Sequence, residues 1–304
     1  MTIRPSIVIC TYDRYDILPL CLAALHDDAA AHGDVEVLVV DNTPPSKRKD
    51  IDLPDGFSLH LADRPGLSNA RNIGVSETAG DVIVFLDDDA TVHPGYVAAL
   101  KTGFDRAPQA MVMGGRTDPA FPDAAEPHWF SEKLLGYLSC IDLGPELRPL
   151  EQGEFVVGAN IAFRRQVFDQ HGLFDTALGR TGSKNLLSNE EIELLHKVGL
   201  EAVFYNPHQI VDHHIPAGRL TPQWFRKRVY WQAVSDLVGD LTWISTRDAL
   251  KEIGSIQMRL PPEKRGLGFL HAAPASPEEM QMQMRMIYLT ALLAAEGHPA
   301  PDAL

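Results

Sequence analysis

Three consecutive carboxylates, Asp87, Asp88 and Asp89, close the stretch D-V-I-V-F-L-D-D-D-A, residues 81–90. Two carboxylates about 5 Å apart repel by about 3 kcal/mol at an effective dielectric of 20. A divalent cation turns that repulsion into attraction, and oxygen ligands suit magnesium or manganese. In a loop the same triplet would be a solvated acidic turn; its place at the end of an apolar run favours metal binding. If the backbone stays extended through the triplet, Asp87 and Asp89 point to one side and Asp88 to the other.

The elements around the triplet must position it. Val82 to Leu86 reads as a strand buried on both faces of a parallel sheet. Ligand crevices of open α/β sheets lie beyond the carboxyl ends of such strands. Upstream come a strand over Ser6 to Cys10, a helix from near Asp16, which is placed to cap it, and a strand over Val35 to Val40. Another strand, Phe57 to Leu61, and a helix from about Leu67 to Thr78 carrying Arg71 complete the series. This alternation predicts a parallel sheet covered by helices. Thr11-Tyr12, Asp41-Asn42 and Asp87 to Asp89 then end three strands at one crevice. Neither G-x-G-x-x-G after the first strand nor a P-loop is present, so phosphates are not held by a glycine loop. A metal is the natural substitute.

Downstream, Pro94 to Arg106 predicts a helix and Ala110 to Gly114 a fifth strand, before an irregular stretch from Arg116 to Leu150. Strand character over Gly153 to Arg165 is interrupted at Gly158-Ala159-Asn160. A flexible loop is expected over 179–185, a helix opening at Ser188 and ending near Gly199, and a short strand over Glu201 to Tyr205. The remainder, with Trp224, Phe225, Val229, Tyr230 and Trp231 on its first helix, is helical to about Gly297. Ser276 and Glu279 have capping-box spacing.

The 304 residues are 45% hydrophobic, enough for one large domain with a helical appendage. A net charge of −14 argues against nucleic-acid partners and against a polybasic membrane anchor. Cys10, Cys21 and Cys140 show no disulfide framework, and the first residues lack a signal-peptide core, which points to the cytoplasm. Peripheral contact with the inner membrane surface stays compatible with this.

S-I-V-I-C-T-Y-D-R, V-E-V-L-V-V-D-N, R-P-G-L-S-N-A-R-N-I-G, V-I-V-F-L-D-D-D-A and S-N-E-E-I-E-L, in this order, resemble family-2 glycosyltransferases of the GT-A fold over roughly residues 4 to 235. The resemblance implies an α/β fold with a Rossmann-like, mostly parallel sheet flanked by helices. Residues 1–235 would form the nucleotide-sugar-binding and catalytic domain and 236–304 a helical C-terminal extension. It implies an inverting transferase using manganese or magnesium, a nucleoside-diphosphate sugar as donor, and a glycan, lipid or small molecule as acceptor. The extension could cover the site, meet the acceptor or mediate a homodimer.

By the same resemblance Thr11, Tyr12 and Asp41 hold the nucleotide, and Arg71, with Arg64 a weaker candidate, lies near the diphosphate. Asp87 and Asp89 are the outer members of a D-x-D motif with Asp88 between them. Asp89 is the chief metal ligand, Asp87 reaches the ribose or a metal-bound water, and His213 completes the metal shell in H-x-I-P-x-x-R-L-T. Glu191 is the general base with Glu190 beside it, and Asn160 belongs to the loop beneath the acceptor.

Plainer readings compete. Asp41 can form an Asx-turn before Pro44-Pro45, and Ser188 with Glu191 has capping-box spacing. Trp129 and Trp224 can stack on sugars, with buried core the better default for Trp224. A nucleotidyltransferase would need a basic loop after the first strand, where only Arg14 stands. A non-catalytic sugar-nucleotide or glycan-binding module would lose the base, yet both glutamates are present.

Overall fold

A computed structural model describes residues 3–122, 126–180, 186–239, 241–242 and 244–295. The expected loop at 181–185 and the helix end near Gly297 lie outside the described residues. Strands β1 (Pro5–Thr11), β2 (Glu36–Asp41), β3 (Phe57–Leu61) and β4 (Val82–Asp87) pair in parallel in the order β3-β2-β1-β4. The apolar runs of β1, β2 and β4 are continuous because both faces are covered, whereas the edge strand β3 is largely exposed. Ile7 and Ile9 pack under α1 (Leu18–Ala30), while Val8 and Phe85 face the opposite core with α2 (Leu67–Glu77). Helix α1 begins without a side-chain cap: its N-cap is Ile17, so Asp16 does not have the expected role.

Beyond β4 the sheet becomes mixed. β5 (Ala90–Val92) and β6 (Val112–Ala120) flank α3 (Tyr96–Arg106) in the chain; β7 is the two-residue Arg148–Pro149, and β8 (Asn160–Arg164) leads into α4 (Arg165–His171). β8 runs antiparallel between β4 and β6. β9 (Val203–His214) is parallel to β6 and antiparallel to β5 and β7. What the sequence suggests as a strand ending at Tyr205 is thus a twelve-residue strand. A bulge shifts its register on β6 between Gly115 and Arg116.

Helix α5 (Glu190–Val198) packs against α4 on the face of the sheet that α2 covers. Helices α6 (Pro222–Val238), α7 (Thr246–Arg259) and α8 (Pro277–Ala295) follow β9. The division expected after residue 235 falls inside α6, which is continuous and packs along α8. This second core takes in Trp129, Phe225, Val229, Met280 and Met284. Trp129 is buried against Phe225 and is core, not a sugar platform. Among the described residues no helix is long and apolar enough to cross a membrane.

Candidate active site

The carboxylate triplet sits where β4 stops, but the backbone turns at Asp88-Asp89 instead of staying extended. Strand alternation is therefore not what gathers the ligands. The β5–β9 ladder is: Ala90 pairs with His213, and the His214 N–H donates to the Asp89 carbonyl at 2.8 Å. Side-chain atoms of Asp87, Asp89 and His213 lie within 4.8 Å of one another, a set able to hold a metal ion. Two carboxylates and an imidazole are a suitable donor set for a divalent cation.

Asp89 is buried and already surrounded by positive charge. His213 Nε2 lies 3.0 Å from it, Arg14 Nη2 3.0 Å and Arg219 Nη2 3.6 Å. Burial works against its charge, but these three groups hold Asp89 below the usual carboxylate range. Burial likewise disfavours the imidazolium of His213, and Asp89 outweighs it, lifting the group to about 10. The Leu138 carbonyl lies 2.8 Å from Nδ1 and fixes the ring so that Nε2 faces the carboxylates. Asp88 points inward, where burial and the neighbouring Asp89 push it up to about 7, and it accepts a 2.7 Å hydrogen bond from the Thr11 hydroxyl. Thr11 thus braces the turn.

A second cluster lies across the crevice. Arg71, buried on α2, pairs with Glu190 at 2.7 Å, with Glu191 at 3.7 Å and with Asp87 at 3.9 Å, and donates to the Gly158 carbonyl at 3.3 Å. Arg71 therefore ties Asp87 of the first cluster to the glutamates. A Cβ on Gly158 would stand 2.3 Å from Arg71 Nη2, so only glycine permits this approach. Burial and the like charge of Glu191 push Glu190 well above the ordinary carboxylate range, with Arg71 offsetting part of the effect. Arg71→Ala would strand Glu190 in the interior at a cost of about 3 kcal/mol. Urea unfolding should show the full loss at pH 8 and a smaller one at pH 5, where Glu190 takes a proton and is no longer a buried charge.

The capping-box reading of Glu191 is not realised. Asn189, not Ser188, is the N-cap of α5, in a left-handed conformation at φ 80° with no side-chain cap. Asparagine tolerates that region better than most residues, and its side chain is tied to Asp236 and Gln232. The turn sends Glu190 into the core and leaves Glu191 at the cavity wall. Glu191 Oε1 accepts from the Gly158 N–H at 3.2 Å, while Oε2 has no hydrogen-bond partner.

The cavity between the clusters measures about 380 Å³ and is lined by Tyr12, Asn42, Arg71, Asp87 to Asp89 and both glutamates, among others. Asp41 lies behind it, fully buried. It accepts from the Tyr15 hydroxyl at 2.8 Å and the Thr43 N–H at 2.9 Å, the latter an Asx-turn. Asn160 is a correction. Its amide accepts from Tyr96 and Gln209 and donates to the Arg116 and Gln209 carbonyls, so nothing is left for a substrate. Its neighbours Gly158 and Ala159 form the wall instead. Arg180 and Arg228 also line the cavity and were not singled out from the sequence. Arg228 falls in the run R-K-R on α6, which reads as a solvent face.

A mixed sheet whose parallel half ends in a D-x-D turn, with an acidic helix start across the crevice, defines a GT-A glycosyltransferase. The chain belongs to glycosyl transferase family 2, whose family model matches residues 6–172. It is 29% identical to the glucosyl-dolichyl phosphate glucuronosyltransferase of Haloferax volcanii over 253 residues, 81% of this chain and 80% of that one. It is 24% identical to the succinoglycan biosynthesis protein ExoM of Rhizobium meliloti, over 75% of this chain and 72% of the relative. Its fold is similar to that of the mannosyltransferase PcManGT from Pyrobaculum calidifontis, solved with GDP-Man and Mn2+. The TM-score is 0.58 at 14% identity, over 97% of this chain and 87% of that one. It is also similar to that of S. aureus TarS 1-349 with UDP-GlcNAc, at a TM-score of 0.51 and 12% identity over 97% of this chain and 92% of that one. The nucleotidyltransferase reading is set aside by the family.

Proposed function

We propose that the protein is an inverting, metal-dependent transferase that moves a sugar from a nucleoside diphosphate to an acceptor hydroxyl. The observation that carries this reading is Glu191, which lines one cavity with Asp87 and Asp89 of the Asp87, Asp89 and His213 cluster and whose Oε2 has no hydrogen-bond partner, only Arg71 Nη1 at 3.7 Å. Tyr12 would stack on the base, with Asp41 and Thr11 shaping that end of the crevice. Manganese or magnesium would be held by Asp89, Asp87 and His213, the two carboxylates supplying the oxygen ligands both ions prefer. When bound, the cation supplies positive charge that stabilises the departing diphosphate.

The chain's own groups account for the rest. Glu191 removes the proton from the acceptor hydroxyl. The oxygen bonds to the anomeric carbon as the bond from that carbon to the phosphate oxygen breaks, and the diphosphate leaves with the electron pair. Arg71 fixes the position of both glutamates. A single base acting in one displacement gives inversion at the anomeric carbon. The relative whose name carries glucosyl-dolichyl phosphate supports a lipid-linked acceptor, and such an acceptor would bring the protein to a membrane surface. Donor turnover followed with manganese and with EDTA, and the anomer of the product read by NMR, test the proposal. Turnover indifferent to EDTA, or a product of retained configuration, would overturn it.

A further inference from the structure

The cavity does not end at Glu191. A second one of about 440 Å³ shares Ser139, Ser188, Glu191 and Arg228 with the first, and a third of about 390 Å³ shares Lys133, Tyr137, Gln232 and Asp236 with the second. Together they form a groove from the glutamates along α6 to α8. The walls change character along the way. The donor side is lined by carboxylates and arginines. The middle presents Tyr137, Phe155, Val157, Ile192 and Leu241, and Phe155 is 41% exposed.

Arg228 stands at the junction. It donates to Ser188 at 3.2 Å and to Gln232 at 2.8 Å, and its Nη1 is buried with no partner. No carboxylate lies within ion-pair distance of it among the described residues. The nearby Asp236 is engaged instead by Asn189, Gln232 and Tyr288. Burial and the like charge of Arg180 pull Arg228 down to about 10. A guanidinium buried without a counter-ion is costly unless an anion completes it. Lys133, farther along the groove, adds a second positive charge. Glu191 faces the same junction, so the complementary ligand must bring both an anion for Arg228 and a hydroxyl for Glu191.

We propose that this groove seats the acceptor and that the acceptor is an anionic amphiphile. It is a sugar joined to a lipid phosphate, with the phosphate on Arg228 and the chain along Phe155, Ile192 and Leu241. The assignment rests on the transferase reading, because it takes Glu191 as the base between donor and acceptor.

Calorimetric titration of the full chain tests it, with octyl phosphate, octyl glucoside and inorganic phosphate as probes below micelle concentrations. Octyl phosphate should bind at least about tenfold more tightly than either other probe. Arg228→Gln should remove that preference and Arg228→Lys should keep part of it. Phe155→Asp should weaken octyl phosphate while leaving inorganic phosphate unchanged. UDP and GDP titrated with manganese report the donor site separately, and their failure to bind wild type would count against the transferase reading, not against the groove. Equal affinity for octyl phosphate and octyl glucoside would overturn the groove assignment. So would parallel loss of nucleotide and octyl phosphate in Arg228→Gln, which would place that arginine on the donor.

Discussion

Glu191→Gln is expected to lower transfer by about 10³-fold while nucleoside diphosphate binding with manganese stays near normal. The amide keeps the size of the side chain and can still accept from the Gly158 N–H. What it loses is the ability to take a proton. Glu190 does not substitute, because it is buried and held by Arg71 at 2.7 Å. Single-turnover transfer together with calorimetry of the nucleotide separates the two effects. Retention of near-normal transfer would move the base to another residue.

The second large effect is expected at Asp89. Asp89→Asn should reduce turnover by at least about 100-fold and weaken manganese binding, read by turnover and by calorimetry of the metal. The change removes the carboxylate proposed as chief metal ligand, which is also the common counter-charge of His213, Arg14 and Arg219. Arg14 and Arg219 around a neutral amide repel an incoming cation, and His213 loses the carboxylate that favours its charged form. Asp88→Asn is a milder comparison, since Asp88 faces Thr11 and belongs to the brace beneath the site. If Asp89→Asn kept EDTA-sensitive turnover at the wild-type level, the metal would have to sit elsewhere.

The parallel half of the sheet was legible because β1, β2 and β4 are apolar runs ended by polar loops, and the observed strands match those limits within a residue or so. The later strands were harder to read. β9 carries Asn206-Pro207-His208-Gln209 in mid-strand, which reads as a break, yet the bulge accommodates it. The triplet was recognisable, but the contact between Asp89 and His213 depends on a three-residue strand that no local pattern announces. Asn160 shows the opposite error. A polar residue beside glycine suggests a binding loop, and only coordinates reveal four internal hydrogen bonds. Arg228 was invisible for a third reason: whether a helical arginine meets solvent or a cavity is decided by partners distant in the chain.

Helix α6 begins eight residues after the last strand ends and carries Arg228 on the same rigid rod that α8 packs against. The charge that α6 offers the acceptor could then change without the sheet that holds the nucleotide, so headgroup and nucleotide preference could diverge on separate evolutionary schedules. A chimaera spliced ahead of Pro222 would retain its donor and exchange only the wall of the groove from α6 to α8, Arg228 included, while Phe155 and Ile192 stayed with the sheet.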